Sequence, residues 1–223
     1  MLRHAVRGAA VLACASVLAG APSAQAPSAP DALAKALDTR YRTIKDFTAD
    51  FVQTYRGGAL RTQARERGTV KIRKPGQMRW MYESPEKKEF VSDGHTLYSY
   101  FPADRQVMVN KIAPEMETGT PALFLAGKAD FARDYVAAAA ASPVEGTIGL
   151  KLTPRRPEPN VEYFIVAVEL PALRIRGLAA RDGQGGDSTL VFSNLKENQG
   201  ISDKEFAFRI PKGVDVVTNG SVK

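Results

Sequence analysis

Between residues 68 and 101 apolar and polar residues alternate with a period of two, and the alternation breaks at two places. Val70 and Ile72 share one face before Pro75-Gly76, and Met78, Trp80 and Tyr82 share one after it. Leu97, Ser99 and Phe101 oppose Thr96, Tyr98 and Tyr100. Successive side chains of a strand point to opposite faces, so the pattern predicts an antiparallel meander with large apolar groups on one face and charge on the other. Proline presets φ and glycine tolerates positive φ, which suits Pro75-Gly76 to a tight turn. Asp93-Gly94 predicts a two-residue hairpin turn, whose geometry needs positive φ at both central positions.

The flanking segments extend this picture. Leu33, Leu37, Tyr41 and Ile44 recur at helical spacing and predict an amphipathic helix over 31–44, with Asp31 well placed for its N-terminus. Residues 47–55 switch to period two, with Phe47, Ala49, Phe51 and Tyr55 on one side. Strands are predicted over 60–73 and 105–111, the latter with Val107 and Val109 on one face. Thr120-Pro121 starts a short apolar helix over 122–126 that carries Leu123, Phe124 and Leu125, and Gly127 suits its end. A second helical piece is expected over 130–141, with Phe131 and Tyr135 on one stripe. The last third reads as strands over 147–153, 161–169, 173–180 and 189–195, divided by a proline-broken loop and a glycine-rich one. Roughly ten strands, with helices grouped at the start and the middle, make a mainly β (α+β) fold: one strongly curved antiparallel sheet covered on one side.

The chain has 223 residues, and its start adds a targeting reading. Arg3 and Arg7 precede an apolar run over 11–21, and Ala24-Gln25-Ala26 fits a cleavage pattern, with a cut after Ser23 as the alternative. Residues 1–26 are therefore expected to be a signal peptide and 27–223 a single domain. Cys14, the one cysteine, falls inside the signal, so the exported domain has no disulfide and no thiol nucleophile. Removing the signal leaves 29 basic against 24 acidic residues, a net charge of +5. The basic residues are mixed with acids along the strands, which argues against nucleic acid as a partner and fits anionic envelope surfaces.

No chemistry-bearing cluster stands out. The exported domain has a single histidine, His95, in a turn with Asp93 too near to orient it in a triad. No glycine-rich phosphate loop opens a helix, and histidine–cysteine metal sites are impossible. The expectation is a protein that is not an enzyme, with no cofactor and no metal. What remains is a greasy surface. Met78, Trp80, Tyr82, Phe90 and Leu97 collect beneath two apolar helices, an arrangement that serves packing as readily as ligand binding.

Four stretches taken together point to a family. R-K-P-G-Q-M-R-W (73–80), V-S-D-G-H-T-L-Y-S-Y (91–100), T-P-A-L-F-L-A-G (120–127) and F-A-F-R-I-P-K-G-V-D-V (206–216) resemble the periplasmic outer-membrane lipoprotein carriers, the LolA family. The resemblance spans nearly the whole exported domain. It implies an unclosed, strongly curved antiparallel β-barrel of roughly 10–11 strands, lidded by the N-terminal and mid-chain helices. It implies a periplasmic chaperone that takes acylated lipoproteins from an inner-membrane ABC transporter and delivers them to an outer-membrane receptor or to the outer membrane itself, working as a monomer. Met78 and Trp80, joined by Tyr82, Phe90 and Leu97, would line the acyl-chain hollow. Leu33 and Leu37, with Leu123, Phe124 and Leu125, would form the lid. Lys74 stands where the family often has an arginine that latches the lid through backbone oxygens, and is expected to latch it more weakly. The Arg155–Pro159 loop matches no family feature. The alternatives are a carrier of another lipid, a lipoprotein-sensing regulator of the same fold, and an envelope hydrolase. All of the carrier readings expect space between sheet and helices left vacant for guest hydrocarbon.

Overall fold

In a computed structural model of the chain, residues 29–57, 63–112, 124–128, 130–158, 161–218 and 221–222 are described. Helix α1 (Pro30–Arg42) leads into β1 (Asp46–Arg56), β2 (Gln63–Arg73), β3 (Gln77–Ser84), β4 (Lys88–Asp93), β5 (Thr96–Phe101) and β6 (Gln106–Lys111). A helical turn over Phe124–Lys128 and a short helix over Phe131–Asp134 follow. Then come β7 (Tyr135–Ala140), β8 (Ile148–Pro154), β9 (Tyr163–Glu169), β10 (Arg174–Arg181) and β11 (Asp187–Glu197). A 3₁₀ turn (Asp203–Phe206), β12 (Asp215–Thr218) and β13 (Ser221–Val222) close the chain. The strands form one sheet in the order β13-β12-β6-β5-β4-β3-β2-β1-β11-β10-β9-β8-β7. Among the described residues only the β12–β6 pair is parallel. β7 and β13 stand at opposite ends of the order, so the curved sheet is not closed by pairing.

The predicted α1 forms for the reasons the sequence supplies. Proline sits in its first turn with Asp31, and Arg40 and Arg42 sit in its last, each charge matched to the helix dipole. Its apolar stripe of Leu33, Ala34, Leu37 and Tyr41 is buried. The meander also forms as its alternation dictates. Val70 pairs with Trp80, Ile72 with Met78, and Trp80 with Phe90, which puts one apolar set on the concave face. Phe47, Ala49 and Phe51 of β1 join it, and Leu152, Phe164, Val166, Leu178 and Phe192 come from the other half of the sheet.

Four expectations change. Residues 130–141 are not one helix: the helix stops at Asp134, and the alanine run continues as β7, paired with β8 from Tyr135↔Pro154 to Ala140↔Gly149. Alanine favours helix locally, but the strand covers the edge of β8, and tertiary pairing overrides propensity. Phe131 and Tyr135 are both buried, though not on a shared helical stripe. The Asp93-Gly94 turn is a two-residue one displaced by one position: β4 ends at Asp93 and β5 begins at Thr96, so Gly94 and His95 are its central residues. Asp93 Oδ1 accepts from the backbone N–H groups of His95 and Thr96, both at 2.8 Å, so a side chain closes the turn and only Gly94 takes positive φ. The convex face is covered as well as charged. Phe206 is buried there, and Phe208 stacks on Tyr98 with ring centroids 5.2 Å apart. Among the described residues the sheet has thirteen strands against the roughly 10–11 expected, and β7 lies where a helix was expected.

Candidate functional site: the concave face and its lid

The floor is an aromatic band crossing several strands. Phe51 meets Trp80 and Tyr82 edge-on, with centroids 5.1 and 4.9 Å apart. Tyr82 meets Phe90 at 5.6 Å, and Phe90 meets Phe101 at 5.9 Å, again edge-on. Such pairs arise because a ring's positive edge seeks another's negative face. Burial falls off along the band. Met78 and Trp80 are 3% exposed, whereas Tyr82, Phe90 and Leu97 are half-buried. The five residues expected to line the hollow thus share one surface, deep at Met78 and Trp80 and shallower at Tyr82, Phe90 and Leu97. The Trp80 indole Nε1 has no hydrogen-bond partner among the described residues.

The lid consists of α1 and the helical segments after β6. Leu33, Leu37 and Leu125 are all buried against the sheet. The backbone of Phe124 opens the helical turn, while Leu123 and the loop before it lie outside the described residues. The lid pieces are tied to each other. The Asp38 carboxylate, on the buried side of α1, accepts from the N–H groups of Phe131 (2.7 Å) and Ala132 (2.9 Å) and so caps the second piece. Burial pushes the Asp38 carboxyl above its ordinary pKa. The Tyr41 hydroxyl donates to the Leu125 carbonyl at 2.6 Å, and Arg42 pairs with Asp130 at 3.1 Å.

Other ties join lid to sheet. The Lys74 ammonium, in the β2–β3 turn, donates to the Tyr41 carbonyl and sits 3.7 Å from the centre of the Tyr41 ring. Gly76 N–H donates to the Ala126 carbonyl at 3.0 Å, and Arg40 pairs with Glu197 of β11. Gly127 makes room for Lys74: a Cβ there would lie 2.4 Å from Lys74 Cδ, and its φ is +76°. Burial, and then the Arg40 charge, pull the Lys74 amine down to about 8, partly opposed by Glu197. Sequence reasoning missed Asp38, Arg40, Gly127 and Glu197 as lid residues. Asp38 was the findable one, a carboxylate on the stripe that carries Leu37 and Tyr41.

The space beneath this part of the lid is not vacant, contrary to expectation. The gap between Tyr41, Ile44, Leu125 and Phe192 is a cavity of about 10 Å³, about the least that holds one water. The lid's own leucines and Tyr41 fill the place meant for hydrocarbon. Guest chains can enter there only if the lid lifts.

Comparison with known proteins agrees with this architecture. Residues 42–209 match the family described as "Outer membrane lipoprotein carrier protein LolA". An outer-membrane lipoprotein carrier protein of Chromohalobacter salexigens is 32% identical over 84% of this chain and 87% of its own. One from Hahella chejuensis is 28% identical over 93% and 94%. Among solved structures, an uncharacterized conserved protein from Thermus thermophilus shares the fold with a TM-score of 0.52 at 12% identity, covering 83% of this chain and 99% of that one.

Proposed function

The chain belongs to the LolA family of outer membrane lipoprotein carriers, and from that membership and the lidded concave sheet we propose how it carries its cargo. It is a lipoprotein carrier. The acyl chains of a lipoprotein lie against Met78, Trp80, Tyr82, Phe90 and Leu97. The lid, carrying Leu33, Leu37 and Leu125, lifts to admit them, and Lys74 is the latch that sets how readily it lifts. Residues 1–26 direct export to the periplasm, and 27–223 act there as one domain. The carrier works as a monomer between an inner-membrane ABC transporter and a receptor at, or the surface of, the outer membrane.

The observation that carries this reading is the contrast between the two sides of the lid. Its inner side is apolar and buried, but a handful of polar ties join it to the sheet. A permanent core would need no such separable layer, whereas a carrier must hide hydrocarbon in water and then give it up. The test is native mass spectrometry of the protein isolated from periplasm after expression with residues 1–26. A bound acylated lipoprotein is the expected result. A co-purifying glycolipid or phospholipid, with no lipoprotein under any loading condition, would overturn it.

A further inference from the structure

At the far end of the concave wall from Lys74, the apolar surface carries an inward-facing ion pair. Lys88 of β4 lies opposite Tyr82 in register, and Glu66 of β2 lies opposite Gln53 of β1. Lys88 Nζ is 2.7 Å from Glu66 Oε1, with side-chain exposures of only 23% and 19%. The same ammonium sits 4.5 Å from the centre of the Tyr82 ring. Tyr82 donates to Gln53 Oε1 at 2.6 Å, and Gln53 donates to Ser188 Oγ at 3.2 Å. Burial, and then the charge of Glu66, hold the Tyr82 phenol protonated. The strand bulges just here: β2 shifts register between Arg67 and Gly68, and Gly68 comes so close to β3 that a Cβ would lie 1.9 Å from the Met81 carbonyl oxygen. Bulges of this kind re-aim a side chain.

This ion pair is not explained by stability. Desolvating two charges largely offsets their attraction, so an apolar pair of similar size would hold the sheet as well. An ammonium has three N–H groups. One is used by Glu66, one faces the Tyr82 ring, and the third has no acceptor among the described residues. One inner rung away along β3 lies the second unused donor of this wall, the Trp80 indole N–H, on a side chain 3% exposed.

Resting on the carrier reading above, we propose that Lys88, held by Glu66 and Tyr82, binds the carbonyl oxygens that join acyl chains to the lipid head of the cargo. Trp80 Nε1–H supplies a second donor deeper in the wall. Hydrocarbon then runs from this polar end across Phe51, Trp80 and Met78 toward the lid, over the eight residue steps from Glu66 in β2 to Lys74 just beyond its end, roughly 26 Å. The site reads the linkage, which a purely greasy hollow cannot do. A buried donor left unpaired by a ligand lacking the carbonyl penalises that ligand, and this is how a polar group confers selectivity.

The test uses the full exported domain and two synthetic probes: a cysteine lipopeptide with two ester-linked palmitoyl chains on its glyceryl group, and the same peptide with ether-linked chains. Binding is read by displacement of a fluorescent apolar dye. Wild type is expected to prefer the ester probe by about tenfold. Lys88→Met should lose that preference by weakening the ester probe alone, Lys88→Arg should keep most of it, and Trp80→Phe should reduce it. Equal binding of both probes by wild type, or equal weakening of both in Lys88→Met, overturns the assignment. If neither probe displaces a dye that does bind, the carrier reading fails and this one with it.

Discussion

Lys74→Met keeps the aliphatic stem beside Gly127 and removes the ammonium. Closing the lid gains about 1.5–3 kcal/mol from a charged hydrogen bond to the Tyr41 carbonyl and about 0.5–2 from the cation over the ring. Against this stands the cost of burying the charge. The amine is displaced from 10.5 to about 8, which at face value is roughly 3 kcal/mol at neutral pH. The side chain keeps contact with water, whose screening reduces that to roughly half. The balance favours closure by roughly 1–3 kcal/mol, so the variant should raise the open population roughly 5- to 150-fold. An apolar dye reads this directly, because its apparent Kd falls as the binding-competent fraction rises. Trp80, the single tryptophan and nearly inaccessible, gives an independent reading through acrylamide quenching, which should rise in step. Lys74→Arg should restore both. Dye affinity and quenching within twofold of wild type in Lys74→Met would refute the latch, whatever happens to the melting temperature.

Gly127→Ala places a methyl against Lys74 at a positive φ, and should open the lid as Lys74→Met does by the dye assay. Asp38→Ala removes the acceptor of two backbone N–H groups, worth about 1–2 kcal/mol. It should lower the calorimetric melting temperature by roughly 2–8 °C, and an unchanged value would show that the two lid pieces are not joined there.

The meander was readable because its signal is short-range: apolar side chains at period two, with glycine at its turns, leave one arrangement that buries Val70, Ile72, Met78 and Trp80 together. Helix α1 was readable for the same reason at period 3.6. The alanine run after Asp134 was not, since its local preference is helical and only pairing with the edge of β8, the next strand along the chain, makes it a strand. Phe206 and Phe208 stand two apart, as on a strand, yet they anchor a crossing segment instead. The hollow was legible as a set of apolar residues, but whether it is vacant is a property of the lid position. The Glu66–Lys88 pair was invisible because two charges in polar-rich segments look solvated until register turns them inward.

A closed lid packed with its own leucines looks like an obstacle to carriage, yet it is what makes release possible. Lifting it exposes Leu33, Leu37 and Leu125, at about 1.5–3 kcal/mol each, and breaks the sheet ties as well. That totals roughly 6–12 kcal/mol. Hiding one palmitoyl chain returns roughly 12 kcal/mol at 0.8 per CH₂. The two are comparable, so a loaded carrier is held by the difference, and on unloading the lid reseats and recovers its own burial. An empty, permanently open hollow would bind by the whole acyl term and could not hand its cargo on. Leu37→Ala tests this against the intuition that a smaller lid grips less. It removes self-burial from the empty closed state, which should lose about 2–5 kcal/mol, while touching the loaded state less. The variant should therefore retain lipoprotein more tightly and pass less of it to outer-membrane vesicles in a timed transfer assay. Faster transfer, or failure to load in a protein that remains folded, would mean that the lid grips the cargo instead of competing with it.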